Sequence, residues 1–420
     1  MLNAFYSGTV RSLEPDIESY RSMAMVEDEL DLFNHPSRFS AASGLSNSLN
    51  KTGRHFLSVS VLAFICLILP LVGVKIAGHP VDEYLRFPPV SYRMNYSPVH
   101  MVALIGIITL ILLMCVFWFI GYQPERKVEE HNSVYGHHTF PWWGWVGLGL
   151  GILSWTFAWT RFTWLEPYQP YTFIPQWISF IVVMNALKHW RSGNCPMLSD
   201  PPFFLKLFIA SAVLWWVFEY LNRFVNNWIY EGASYAGDPV EYILFATVAF
   251  STVIPGVYST KKFLDTLPGL QRFFARGPVI HFPTARVFYI GLLLAVSLSF
   301  LLISWYPKLL YPILWIGPFL GWITLNRVIG IPFELGGISK GNWSYLLGWA
   351  FAALICGFFW EMWNYYSMSK WIYQVPYLHV FKVFEMPIAG YTGYLAFGLE
   401  CAMAVEIMRW ASESLRLEDV

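Results

Sequence analysis

The chain has 420 residues, 56% of them hydrophobic and only 13% charged. Soluble domains carry about 25% charged residues, so this composition argues against a soluble globular protein and places the chain in lipid. Its 27 basic and 27 acidic residues cancel, and no basic tract stands out, which argues against nucleic acid as a partner.

Residues 1–55 read as a polar cytoplasmic tail with a short helix around Glu27–Phe33 and without the early apolar core of a cleavable signal peptide. Asp28, Glu29 and Asp31 beside Leu30, Leu32 and Phe33 offer a docking place for a protein partner. Apolar runs long enough to span a bilayer then follow: Phe56–Ile76, Val99–Tyr122, Trp142–Thr160, Tyr171–Leu187, Phe204–Trp228, Tyr242–Tyr258, Val287–Trp305, Leu310–Ile329, Tyr345–Tyr366 and Phe381–Ile407. The expected fold class is therefore all-α, a polytopic integral membrane protein of about ten transmembrane helices. The sixth run is short and the tenth carries Pro387, Gly390 and Gly393, so either is a candidate for a kink or a re-entrant segment. Arg126 and Lys127, Lys188 and Arg191, and the group from Lys261 to Arg286 fall in loops on one side, which predicts both termini in the cytoplasm.

The last two thirds repeat. Trp164 and Trp305, Asn185 and Asn326, Glu219 and Glu361, and Glu241 and Glu385 recur at a nearly constant spacing. The domains so defined are two N-terminal helices (56–122), a first four-helix repeat (142–270) and a second (285–410). Four helices per copy is an even number, so the copies share polarity and their symmetry axis lies along the membrane normal.

Glu219 and Glu361 are ionisable groups inside apolar runs, and such groups mark functional or pairing sites by default. Phe218-Glu219-Tyr220-Leu221-Asn222 is followed by Trp228-Ile229-Tyr230, and Trp360-Glu361-Met362-Trp363-Asn364 by Trp371-Ile372-Tyr373. At about 1.5 Å per residue, both acids come out in the outer third of the bilayer, where Glu241 and Glu385 open the next helices. All four carboxylates are therefore expected in one non-cytoplasmic layer. Arg223, four residues after Glu219, is the expected charge partner of that acid. Tyr365 stands at the matching place in the second copy, so Glu361 is expected to keep its proton and serve as the acid. The plainer reading is that both acids join helices by hydrogen bonds. Asn222, Asn364, Trp228, Tyr230, Trp371 and Tyr373 are candidate substrate contacts, the aromatic ones equally fitting an outer interfacial belt. Glu241 and Glu385 also suit plain helix capping.

Asn185 and Asn326 lie toward the opposite face and read as interhelical hydrogen-bonders. His137-His138 has no companion at ligand spacing, the five cysteines form no CxxC, and neither a P-loop nor a dinucleotide fingerprint is present, so no metal or cofactor is expected.

The order of acid, Trp-x-Tyr and Pro-x-Glu opening an apolar helix resembles the membrane-embedded lycopene cyclases of fungi, archaea and some bacteria, which are also built from two related halves. The matching residues run from Glu219 through Trp228-Ile229-Tyr230 to Pro239-Val240-Glu241, and from Glu361 through Trp371-Ile372-Tyr373 to Glu385. Where that family carries a Glu-Glu pair after the proline, this chain has Glu241-Tyr242, and Glu385 precedes Pro387. The resemblance implies a cofactor-free acid/base reaction on a polyene or isoprenoid lipid, with Glu361, Glu385, Glu219 and Glu241 as the catalytic set. A proton- or cation-coupled transporter and a structural subunit of a membrane complex are the competing readings. They separate on whether the acids end an apolar pocket, line a polar path, or are paired with no cavity.

Overall fold

A computed structural model describes residues 52–88, 92–93, 98–127, 138–232, 238–331, 335 and 337–418. The tail with its expected helix around 27–33, and His137, lie outside the described residues. His55–Val420 forms one unit and is described by itself.

Each apolar run holds a helix: α1 (Thr52–Ile76), α2 (Met101–Gly121), α3 (Trp142–Trp159), α4 (Phe173–Ser192), α5 (Pro201–Val225), α6 (Pro239–Leu264), α7 (Arg286–Leu302), α8 (Ile313–Ile329), α9 (Ser344–Tyr365) and α10 (Tyr391–Glu418). Six helices among the described residues, α1, α2, α5, α6, α9 and α10, are long and apolar enough to cross a membrane. Several apolar helices of this kind fit a multi-pass membrane protein.

The helices bend where proline removes a backbone donor and its ring collides with the preceding turn. In α1 the ladder widens into a π-helical turn at Phe64–Ile68, immediately before Pro70. The Tyr220 hydroxyl donates to the Leu67 carbonyl inside that turn, 2.5 Å away. In α6, Pro255 forces a break at Thr252, so the sixth run is a long helix in two segments. Ser211 of α5 repairs the break, donating to the Phe250 carbonyl (2.5 Å) and accepting from the Ile254 amide (3.0 Å). The tenth run is no re-entrant helix. Its start is a tiny hairpin, β3 (Lys382–Val383) with β4 (Met386–Pro387), and a 3₁₀ turn, after which α10 begins at Tyr391.

Helix α3 packs on α4, α5 on α6, α7 on α8 and α9 on α10, while α6 also meets α9 and α5 meets α10. Where α9 and α10 touch, glycines bring the backbones together, as small residues do in apolar helix pairs. A Cβ at Gly398 would lie 2.3 Å from the Trp349 carbonyl oxygen and 2.9 Å from the Ala350 Cα, whereas one at Gly393 meets nothing within 4 Å. Gly398→Ala is therefore expected to cost about 1–3 kcal/mol through a backbone clash that overrides its gain in helix propensity. Gly393→Ala, free of the clash, is expected to hold or raise stability; thermal unfolding midpoints in detergent compare the two.

The all-α expectation needs one correction that matters for the site. Trp228 does not end the fifth helix. Helix α5 stops at Val225, because Asn226 takes the left-handed conformation at φ 47°, which asparagine tolerates. Residues Trp228–Glu231 then form strand β1, paired antiparallel with β2, Lys370–Tyr373. Trp228 faces Tyr373, Ile229 faces Ile372 and Tyr230 faces Trp371, so the two Trp-Ile-Tyr strings exchange places about the central isoleucine pair.

Candidate functional site

A two-stranded ribbon inside an apolar surround has two open edges whose amides and carbonyls need partners. Asn222 and Asn364, near the ends of α5 and α9, supply them. The Asn222 amide donates to the Trp228 carbonyl (2.8 Å), and its oxygen accepts from the amides of Asn227 (2.7 Å) and Trp228 (3.3 Å). Asn364 does the same on the other edge, donating to the Trp371 carbonyl (2.8 Å) and accepting from the Trp371 amide (2.9 Å). These asparagines, expected as substrate contacts, clamp the ribbon to the helices. Their role here is positioning.

The clamp aims the tryptophans and tyrosines of the ribbon back at the acids. Glu219 is buried, and its Oε1 accepts from Tyr230 Oη (2.5 Å), Trp228 Nε1 (3.1 Å) and Trp215 Nε1 (3.2 Å). Glu361 is fully buried, and its Oε1 accepts from Tyr394 Oη (2.5 Å) and Trp371 Nε1 (3.4 Å). The Tyr373 hydroxyl also hydrogen-bonds Glu361 and lies 3.1 Å from that of Tyr394. Glu361 Oε2 has no partner. Burial first, and the adjacent carboxylate second, push the Tyr230 and Tyr373 hydroxyls well above the ordinary tyrosine value, so both stay protonated.

Arg223 is close enough to Glu219 for its charge to act on that carboxylate. The spacing along α5 is right, but the guanidinium leaves the helix to donate to the Tyr84 carbonyl and to lie 5.7 Å above the Tyr220 ring. Neutral hydrogen-bond donors hold both buried acids, with the Arg223 charge added beside Glu219, in an environment where an isolated charge is costly.

Between the two acids lies a cavity of about 120 Å³, many times the roughly 10–15 Å³ that a single water needs. Its wall is almost entirely aromatic and apolar, drawing Trp215 from α5, Phe245, Ala246 and Ala249 from α6, Trp315 from α8, Trp360 from α9 and Phe397 from α10. Trp228, Tyr230, Trp371 and Tyr373 line it too, Trp228 and Tyr373 buried and Tyr230 and Trp371 partly buried. None of the four glutamates lines the cavity, yet each is bound to a side chain that does. Tyr230 and Trp228 hold Glu219, and Tyr394, Tyr373 and Trp371 hold Glu361. Tyr171 donates to Glu241, which is exposed, and Lys370 pairs with Glu385 at 2.7 Å. Two acids stand behind the inner wall and two at the rim.

Two contributors were absent from the expected set, and a third buried acid was missed elsewhere in the fold. Trp215 and Tyr394 complete the acid environments. Glu400, buried in mid-helix on α10, accepts from the Phe319 amide at 3.0 Å beside Pro318 and leaves its other oxygen unpartnered. It lies within the tenth apolar run, where the rule that flagged Glu219 and Glu361 applies equally. Asn185 and Asn326 do join helices, Asn185 donating to Ser259 (2.8 Å) and Asn326 accepting from Ser58 (2.7 Å). Among the described residues, no three His, Cys, Asp or Glu side chains gather as a metal site.

Compared with protein-family models, curated proteins and solved structures, the chain matches none of them.

Proposed function

We propose that this protein is an intramembrane acid/base enzyme acting on an unsaturated, lipid-soluble substrate of the polyene or isoprenoid kind. The observation that carries the reading is the aromatic cavity whose wall side chains are hydrogen-bonded to all four glutamates. The resemblance to membrane-embedded lycopene cyclases leads to the same class of chemistry.

In this reading the Tyr394 hydroxyl turns from Glu361 Oε1 into the cavity, its proton passes to a carbon of a substrate double bond, and the Glu361 carboxyl proton moves onto the Tyr394 oxygen in its place. The cation left on the neighbouring carbon meets the ring faces of Trp228, Trp371 and Trp315. A proton then leaves an adjacent carbon for the Tyr230 oxygen while the Tyr230 proton moves to Glu219. The double bond is restored, no electrons are gained or lost, and the proton gained by Glu219 returns to the ionised Glu361 before the next turnover. Exclusion of water by the aromatic wall protects the cation from capture.

The same proposal holds that residues 142–270 and 285–410 are related copies about an axis through the Ile229–Ile372 pair. The self-exchanging register of β1 and β2 supports it. So do the contacts between halves, since a twofold that swaps α5 with α9 and α6 with α10 turns the α6–α9 contact into the α10–α5 contact. Ten spans and two cytoplasmic termini complete this arrangement, the orientation resting on the distribution of Lys and Arg.

A proton-coupled carrier needs polar groups along a path to both faces, and the wall between the acids is aromatic. Lipid and pigment extracts from cells with and without the gene test the reading. A hydrophobic precursor with one more unclosed or unshifted double bond is expected to accumulate without it. Unchanged extracts together with a lost proton-coupled flux would overturn the enzyme in favour of the carrier.

A further inference from the structure

We propose that a second pocket, between the first turn of α7 and the last turn of α8, binds the phosphate of an anionic phospholipid. This inference is independent of the reaction in the aromatic cavity and needs only that the apolar helix surfaces face lipid. The pocket encloses about 710 Å³, and its lining includes His281, Thr284, Arg286, Tyr289, Arg327 and Ser339. Both arginines are exposed, and neither forms an ion pair with any acid among the described residues. No described acidic side chain lines the pocket. Among the described lining residues, the fixed positive charges are Arg286 and Arg327, beside the positive end of the 17-residue helix α7.

Arg327 is held in place. The Tyr289 hydroxyl donates to the Pro283 carbonyl at 2.8 Å, which fixes the ring over which the Arg327 guanidinium lies, 6.0 Å from its centroid. The Ile280 amide donates to the Ile338 carbonyl (3.3 Å) and ties together the two lining segments.

What makes the occupant a lipid is the surface that continues from the pocket. Val287, the residue after Arg286, is 74% exposed, and Leu294 and Leu298 follow at 64% and 53%. With Gly291, whose absent side chain leaves open space, they form one stripe down α7 at helical spacing. A headgroup in the pocket would therefore lay an acyl chain along this stripe. A free phosphate would use the arginines and ignore the stripe.

The test uses the full chain, purified in detergent and offered equimolar phosphatidylglycerol and phosphatidylcholine, with retained lipid counted by native mass spectrometry. Wild type is expected to keep phosphatidylglycerol selectively. Arg286→Gln/Arg327→Gln is expected to bind it roughly 20- to 30-fold more weakly, as loss of two interfacial cations implies. Arg286→Lys/Arg327→Lys, which keeps the charge, is expected to retain most of the preference and guards against misfolding as the cause. Equal retention of both lipids by wild type, or an unchanged preference in the Gln variant, overturns the proposal. Displacement of the lipid by millimolar inorganic phosphate would identify a free-anion site and overturn the lipid assignment.

Discussion

Glu361→Gln is expected to lower turnover by about 10²- to 10⁴-fold, the usual contribution of a positioned general acid, while the amount of folded protein stays nearly unchanged. The geometry makes this substitution unusually clean. Tyr394 at 2.5 Å and Trp371 at 3.4 Å both donate to Oε1, which glutamine keeps as its amide oxygen, so they retain their acceptor. The oxygen that becomes an NH₂ group is Oε2, which has no partner to lose. What disappears is the transferable proton. Tyr394→Phe is the companion variant, because it leaves the acid in place and removes the hydroxyl that links it to the cavity. Both variants are to be assayed on the precursor identified by lipid extraction, with folded protein measured by size-exclusion chromatography. Turnover unaffected by either change would remove Glu361 from the reaction. Loss of the protein itself in both would mark the acid as a helix-joining group, the structural reading of an intramembrane carboxylate.

The parts of this architecture that a one-dimensional pattern encodes were legible in the sequence. Apolar runs of spanning length became helices, though the fifth ends three residues early where Asn226 sets the boundary and the tenth begins at Tyr391, ten residues after Phe381. The acid, asparagine and Trp-Ile-Tyr strings proved to be physical units, since each asparagine clamps the strand that carries its tryptophan. What could not be read was which partner each string meets. Trp-Ile-Tyr is too short for a strand periodicity to declare itself, and its pairing mate lies in the other half of the chain. Arg223 illustrates the limit of helical spacing as a guide. Four residues from Glu219 brings its charge within reach of that carboxylate, but it stands in the last turn of α5, where the flexible side chain hydrogen-bonds the Tyr84 carbonyl. Tyr394 could not be assigned because its contact with Glu361 is purely tertiary, across the α9–α10 interface.

Asn222→Ala and Asn364→Ala are expected to destabilise the fold strongly, and in a fixed order. Each orphaned buried amide or carbonyl costs about 1–3 kcal/mol, because lipid and aromatic side chains offer no substitute. Asn364 satisfies the amide and carbonyl of Trp371, so its loss is expected to cost about 2–4 kcal/mol after partial relaxation of a half-buried site. Asn222 satisfies the amides of Asn227 and Trp228 and the Trp228 carbonyl, all in a buried setting, so its loss is expected to cost more. The consequence reaches the chemistry as well. Trp228 and Tyr230 hold Glu219, and Trp371 and Tyr373 hold Glu361, so a ribbon freed from one helix loses its aim at that acid. Thermal unfolding in detergent is expected to rank wild type above Asn364→Ala above Asn222→Ala. A twin pair of mutants that both unfold at the wild-type temperature would show that the ribbon stands without its clamps. The aim of the ribbon side chains at the two acids would then rest on packing in place of the asparagine hydrogen bonds.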